Sequence, residues 1–100
     1  MVKRPIEGTD RFVPKPGVIP TDLENEVVLL DPETRLMFSL NATGRFVWQR
    51  LEAHSVTDLA RALAEEFDVS AGQALSDVQM LLRELLEAGL ASARSDDGQR

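Results

Sequence analysis

Cysteine is absent from this 100-residue sequence, which excludes disulfides and thiolate chemistry. Tyrosine is also absent, and histidine and tryptophan occur once each. No apolar run approaches the roughly 20 residues that a membrane-spanning helix requires. The N-terminal sequence MVKRPIEGTD lacks the apolar core of a signal peptide. We therefore expect a soluble cytoplasmic protein that has no membrane partner.

Residue patterns that are typical of catalytic, phosphate-binding or metal-binding sites are equally scarce. The single histidine, His54, falls at the end of a predicted helix, where a histidine more often caps carbonyl groups or faces solvent. Glu65 and Glu66 are adjacent on a predicted helix and point in different directions, so they make a poor catalytic pair. No glycine-rich phosphate loop and no metal-ligand spacing occurs. We expect no catalytic residues, no metal and no cofactor.

Positive charge is scarce in the second half of the chain. Residues 1–50 contain seven acids and seven bases, whereas residues 51–93 contain eight acids against Arg61 and Arg83. The net charge of −6 therefore comes from the predicted helices. Such a face repels nucleic acid and attracts basic partners, although simple solvation is the commoner explanation.

A strand pattern changes into a helix pattern between Leu36 and Trp48. Residues Leu36 to Leu40 alternate between apolar and other positions, as in a half-buried strand, and Asn41 is a suitable N-cap for a helix that runs to about Ala53. Gly44 lies in the first turn of this helix. Either another backbone approaches it closely or it is a tolerated surface glycine.

The residues before this point predict an antiparallel hairpin. Glu26–Leu30 is rich in β-formers, and it is joined to Leu36–Leu40 by a turn in which Pro32 presets the backbone and Asp31 can accept a forward hydrogen bond. Val18 and Ile19 could add a short edge strand. Six prolines and glycines interrupt residues 1–20, and we expect residues 1–17 to form a mobile segment.

Two further helices follow, each with a serine N-cap. Ser55 precedes a clean amphipathic pattern that ends at Phe67, and Ser70 precedes a pattern that runs to about Ala88, where Gly89 provides a left-handed stop. The apolar residues of the third helix cover an arc of about 140°, which is wider than one buried face requires. Met80 falls opposite this arc and is interpreted as a scattered surface residue.

A hairpin followed by three helices predicts an α+β fold of the winged helix-turn-helix type, with two or three N-terminal antiparallel strands. We expect residues 18–90 to form the domain and residues 91–100 to form a flexible tail. DNA-binding versions of this fold need a cationic recognition helix. The third helix offers one arginine, Arg83, against three acids, so nucleic acid is not an expected partner.

The segment VLLDPETRLMFSLNATGRFVW resembles the PqqD-like family, the leader-peptide recognition domains of ribosomally made peptide pathways. In that family, a hairpin runs into a pattern like L-N-x-T-G-x-x-x-W, which Leu40, Asn41, Thr43, Gly44 and Trp48 match here. With the helix order that follows, the resemblance covers roughly residues 18–90. The family includes free-standing proteins of lasso-peptide gene clusters.

The resemblance implies a binding mode and a set of candidate residues. A precursor's leader peptide would add as a strand beside Leu36–Leu40 and would lay its side chains in a groove between that strand and the third helix. Asp77 could pair with a basic leader residue. For Phe38, Val78 and Leu82, ordinary core packing is the alternative interpretation. The implied peptide-binding residues are Leu36, Met37, Phe38, Ser39, Asp77, Val78, Leu81, Leu82 and Leu85.

The sequence is compatible with three functions. The preferred one is a non-catalytic protein that captures a precursor's leader peptide and presents it to a separate leader peptidase or modifying enzyme in lasso-peptide biosynthesis. The alternative is a precursor-peptide chaperone for a radical enzyme in pyrroloquinoline quinone-type cofactor biosynthesis. The third is a transcriptional regulator that binds protein partners.

Overall fold

The computed structural model describes residues 6–94, and their order of elements confirms the α+β winged helix-turn-helix fold. Four strands precede three helices, and a short fifth strand follows them. The elements are β1 (Phe12–Pro14), β2 (Ile19–Leu23), β3 (Glu26–Asp31), β4 (Leu36–Leu40), α1 (Ala42–Gln49), α2 (Val56–Phe67), α3 (Ala71–Glu87) and β5 (Ala91–Ala93).

The predicted hairpin is the centre of a three-stranded antiparallel sheet in the order β2-β3-β4. Val27 lies opposite Leu40, and Leu29 lies opposite Phe38, so these four side chains share the sheet face that packs on the helices. The turn forms as predicted, because the Asp31 carboxylate accepts a hydrogen bond from the Glu33 amide at 3.0 Å.

The chain enters α1 directly from β4. The Asn41 side chain accepts the Gly44 amide at 3.0 Å, which confirms the predicted N-cap. The helix ends at Gln49 rather than near Ala53, because the backbone hydrogen bonds change from four-residue to three-residue spacing, as in the bond from Leu51 to Trp48. This tightening places Leu51 in the core, where it is 1% exposed.

The pair α2 and α3 forms the helix-turn-helix. Ser55 and Ser70 cap the two helices as predicted, and Asp68 makes the turn between them in a left-handed conformation with φ of 55°. Gly89, with φ of 74°, follows the end of α3. Val78, Leu82 and Leu85 of α3 are fully buried among the side chains of the other elements.

The folded region extends beyond residues 18–90 at both ends, which corrects the expected limits of the domain. β1 pairs with β5, so that Phe12 lies opposite Ala93 and Pro14 lies opposite Ala91. Ile6 and Phe12 are buried core residues. The small residues 91–93 have no apolar pattern of their own, and pairing with β1 provides their order. The expected mobility of residues 1–5 and 95–100 concerns residues outside those that the structure describes.

A partly buried ion pair connects the hairpin turn to the residues that follow β1. The Lys15 ammonium lies 2.7 Å from the buried Asp31 carboxylate and 2.8 Å from Glu33. The hydrogen bond from Lys15 holds the pKa of the Asp31 carboxyl below its usual value, and the same bond, aided by the one to Glu33, raises the pKa of Lys15.

The first prediction concerns the N-terminal segment. Replacing Phe12 by Ala removes a core side chain, and we expect the free energy of unfolding to fall by about 3 kcal/mol. Leu23→Ala is the matched control, since Leu23 is 51% exposed on β2 and its loss should cost less than about 1 kcal/mol. Urea unfolding measures both. Equal, small effects would show that β1 is not part of the folded core.

The second prediction concerns acid stability. Because the pKa of Asp31 is lower in the folded chain than in the unfolded chain, the stability that it contributes is present above about pH 4 and is lost on further acidification. The Asp31→Asn variant should therefore lose less stability than the wild type between pH 6 and pH 3. Urea unfolding at the two pH values measures this, with the exposed Glu24→Gln as control. An identical loss in all three proteins would contradict the prediction.

Candidate functional site

An open groove of about 400 Å³ lies between β4 and α3. One wall is β4, through Phe38, Ser39 and Leu40, and the other wall is one face of α3. The floor and one end come from α1 and α2. The groove therefore occupies the position that the resemblance implied, between the second hairpin strand and the third helix.

The β4 wall is an unpaired sheet edge. Among the described residues β4 pairs with β3 alone, so half of its backbone hydrogen-bonding groups face away from the sheet. Its sequence LMFSL contains neither proline nor charge. The opposite edge, β2, contains Pro20 and Asp22, which are residue types that discourage an added strand. Of the two edges of this sheet, only the one beside the groove is suited to strand addition.

The α3 wall consists of residues at helical spacing. Asp77, Met80, Leu81 and Glu84 occupy positions i, i+3, i+4 and i+7, which place them on one face of the helix. Met80 is 56% exposed, although the core-facing side of the same helix is fully buried. The wall thus has an apolar middle between two carboxylates.

The floor depends on a glycine at the start of α1. Gly44 lines the groove together with Val47 and Leu63. A Cβ atom at Gly44 would lie 3.1 Å from the Leu40 Cβ and 3.3 Å from the Leu40 Cδ2. The neighbour that approaches Gly44 closely is therefore the Leu40 side chain of β4 and not another backbone. This contact packs the end of β4 against the first turn of α1.

The charged residues that line the groove are all acidic. The Asp77 carboxylate accepts a hydrogen bond from the side-chain Nε2 of Gln73 at 2.8 Å. The Glu84 carboxylate has no ion pair with any residue between 6 and 94. No lysine or arginine lines the groove. The site is suited to a ligand that carries apolar groups together with positive charge.

Four of the nine residues predicted for peptide binding line the groove: Phe38, Ser39, Asp77 and Leu81. Val78, Leu82 and Leu85 are fully buried, as the alternative interpretation of core packing allowed for the first two. Leu36 is half-buried at the far end of β4. Met37, 66% exposed, lies on the other face of the sheet, in a row with Leu30 and Ile19.

Sequence reasoning missed Met80 and Glu84, and also Asn41 and Thr43 at the end of the groove. Met80 was interpreted as a scattered surface residue because it lies opposite the apolar arc of α3. A signal was nevertheless present, since Met80 and Glu84 follow Asp77 at i+3 and i+7. Which flank of α3 faces β4 depends on helix packing and not on that spacing.

Metal-ligating side chains do not cluster in the part of the chain that the structure describes. Residues 6–94 have no group of three or more histidine, cysteine, aspartate or glutamate side chains that could hold a metal ion. The Nδ1 atom of His54 lies 3.1 Å from the Arg50 carbonyl oxygen, at the end of the first helical region. Within the same residues, no helix has the length and apolar character needed to cross a membrane.

One family of known proteins matches about two thirds of this chain. Residues 26–91 match the family described as coenzyme PQQ synthesis protein D (PqqD). This chain belongs to the PqqD family. The match includes the groove residues of β4, α1 and α3, and it confirms the resemblance seen in the sequence. No curated protein sequence matches the chain.

Three solved structures resemble this PqqD-family chain. Lasso peptide synthetase B1 complexed with the leader peptide is 31% identical, with a TM-score of 0.74 over 82% of this chain and 98% of that chain. TbiB1 in complex with the TbiA(beta) leader peptide is 26% identical, with a TM-score of 0.73 over 88% of this chain and 98% of that chain. Both of those proteins are recorded with a leader peptide bound.

The third structure is the PqqD truncation of PqqCD from Methylobacterium extorquens. It is described as a functional and stand-alone recognition element for ribosomally synthesized and post-translationally modified peptides. It is 23% identical, with a TM-score of 0.73 over 87% of this chain and 94% of that chain. At this identity the likeness supports the fold alone.

Proposed function

We propose that this chain is a non-catalytic protein that captures the leader region of a ribosomally synthesised precursor peptide and presents it to a separate leader peptidase or modifying enzyme. The observation that carries the proposal is the unguarded edge of β4 beside a groove with an apolar middle. An added strand would gain main-chain hydrogen bonds from β4 and would place every second side chain in the groove. The two relatives that are complexed with a leader peptide support leader binding as the function.

Capture requires no chemistry in this chain. A leader held in the groove raises the concentration of the attached core peptide near any enzyme that also binds this protein, and such tethering can increase apparent affinity by orders of magnitude. The partner would be the enzyme that cleaves or modifies the precursor. The cytoplasmic location expected from the sequence stays a prediction.

Lasso-peptide biosynthesis is the preferred pathway, because lasso peptide synthetase B1 is 31% identical to this chain whereas the PqqD truncation is 23% identical. The alternative, a precursor-peptide chaperone for a radical enzyme in pyrroloquinoline quinone-type cofactor biosynthesis, is favoured by the description of the matched family. Activity assays with each class of partner enzyme and its precursor would discriminate the two pathways.

Binding of DNA through the helix-turn-helix is not favoured by the contacts of α3. Arg83 is the one cation on this helix. The side-chain amide of Gln79 donates to the Ile6 carbonyl oxygen at 3.0 Å, and that of Gln73 donates to Asp77. These polar groups are therefore engaged within the protein and are poorly placed to contact base edges.

The third prediction tests strand addition directly. Titration of 15N-labelled protein with the leader segment of a precursor peptide encoded beside its gene should shift the backbone amides of β4 and of the Asp77–Glu84 face of α3. In an added strand, every second N–H group donates a hydrogen bond to β4. N-methylation of this alternate set of residues in the leader removes those donors and should abolish binding.

N-methylation of the other alternate set is the matched control and should preserve most of the affinity. The same loss from both sets would contradict strand addition. A leader that does not bind, or shifts that concentrate on the exposed face of α2, would contradict the proposed function.

The fourth prediction separates the groove from the outer sheet face. Met80→Gln removes an apolar contact from the groove and should raise the Kd for the leader about fivefold, because a partly buried methionine contributes about 1 kcal/mol. Met37→Gln is the matched control on the outer face and should change the Kd less than twofold. Fluorescence anisotropy measures both. A larger effect at Met37 would place the leader on the outer face.

A further inference from the structure

The groove has a charge pattern that the proposed function does not explain. Asp77 and Glu84 both line it, and Met80 and Leu81 lie between them on the same face of α3. The apolar Phe38 of β4 lines the same groove. A bound strand would therefore meet a negative charge at each end of an apolar contact.

The spacing of these acids can be compared with that of an added strand. Glu84 follows Asp77 by seven positions in α3, which corresponds to about 10.5 Å along the helix axis. In a strand, side chains on one face recur about every 6.8 Å, so positions i and i+4 are about 13.5 Å apart. The flexible stems of lysine and arginine can absorb a difference of about 3 Å, and position i+2 then faces the apolar middle.

We propose that the groove selects leader segments with the pattern basic-x-apolar-x-basic, in which Asp77 and Glu84 bind the two basic side chains. This inference rests on the proposed function and specifies the class of peptide bound. The central side chain packs between Phe38 and Met80. The x residues face the opposite side of the sheet, where Met37 lies.

The pattern has a useful symmetry. It has the same form in both chain directions, so it applies to a leader strand that is parallel or antiparallel to β4. The required spacing also distinguishes the effect of Asp77 and Glu84 from that of the general negative charge of the helices. Glu65 and Glu66, for example, are exposed on α2 and do not line the groove. A general field would favour basic peptides at any spacing, whereas the groove should favour one spacing.

The fifth prediction uses synthetic 13-residue peptides that differ only in five central residues. The central sequences are Lys-Ala-Leu-Thr-Lys, Gln-Ala-Leu-Thr-Gln and, with the same charge at a different spacing, Lys-Lys-Leu-Thr-Ala. Binding is measured by fluorescence anisotropy, with the precursor leader encoded beside the gene as a reference ligand. We expect the first peptide to bind about tenfold more tightly than the second and at least threefold more tightly than the third.

Two charge-neutralising double variants and one charge-reversing double variant assign this preference to the groove. Asp77→Asn with Glu84→Gln should abolish the advantage of the Lys-Ala-Leu-Thr-Lys peptide, whereas Glu65→Gln with Glu66→Gln removes the same total charge and should preserve it. Reversal of the groove charge by Asp77→Lys with Glu84→Lys should transfer the preference to a peptide with Glu-Ala-Leu-Thr-Glu at its centre. Circular dichroism confirms that each variant remains folded.

The outcomes distinguish this inference from the proposed function. If the precursor leader binds but the three peptides bind alike, or if the two charge-neutralising double variants have equal effects, the inference is overturned and leader capture stands. If neither the precursor leader nor any synthetic peptide binds, both are overturned. The predicted preference, lost only in the groove variant, supports both.

Discussion

Backbone N–H and C=O groups along the outer edge of β4 have no strand partner among residues 6–94, and this constraint governs how the site can work. Such groups must be hydrogen-bonded by water or by another chain. An added peptide strand satisfies them in a regular way whatever its sequence, so the edge can contribute affinity without selectivity. Selectivity must come from the side chains beside the edge. The rest of the structure holds those side chains in place.

Several contacts hold β4 and α3 at the spacing that leaves the groove open. The Asn41 cap fixes the first turn of α1 directly after β4, and the absence of a Cβ at Gly44 allows Leu40 to pack against that turn. On the other side, the buried residues Val78, Leu82 and Leu85 attach α3 to the core. The buried side of α3 is thus fixed against the core, whereas the side that carries Asp77 and Met80 remains accessible from the groove. This arrangement preorganises these side chains for binding.

The two ends of the described chain contribute contacts to the fold outside the groove. β1 and β5 form a second, two-stranded sheet, and the Lys15–Asp31 pair joins the residues after β1 to the hairpin turn. The hairpin is thus held at its turn as well as at its strands.

Local signals in the sequence were sufficient for the β3–β4 hairpin and for the starts of the three helices, although not for β1 and β5. Alternation predicted the hairpin, serine and asparagine predicted three helix starts, and Gly89 marked the end of α3, because each depends on residues within a few positions of one another. The same signals led to the PqqD-like resemblance and hence to the position of the groove.

Only the tertiary structure decided which side chains line that groove. The wide apolar arc of α3 was compatible with several orientations of the helix, and packing against the core turned Val78, Leu82 and Leu85 inward and left Asp77, Met80 and Glu84 beside β4. The pairing of β1 with β5 likewise joins residues about 80 positions apart, neither of which has a strong pattern of its own. Contacts between distant segments depend on how whole elements pack, and a periodic pattern within one element does not specify its neighbours.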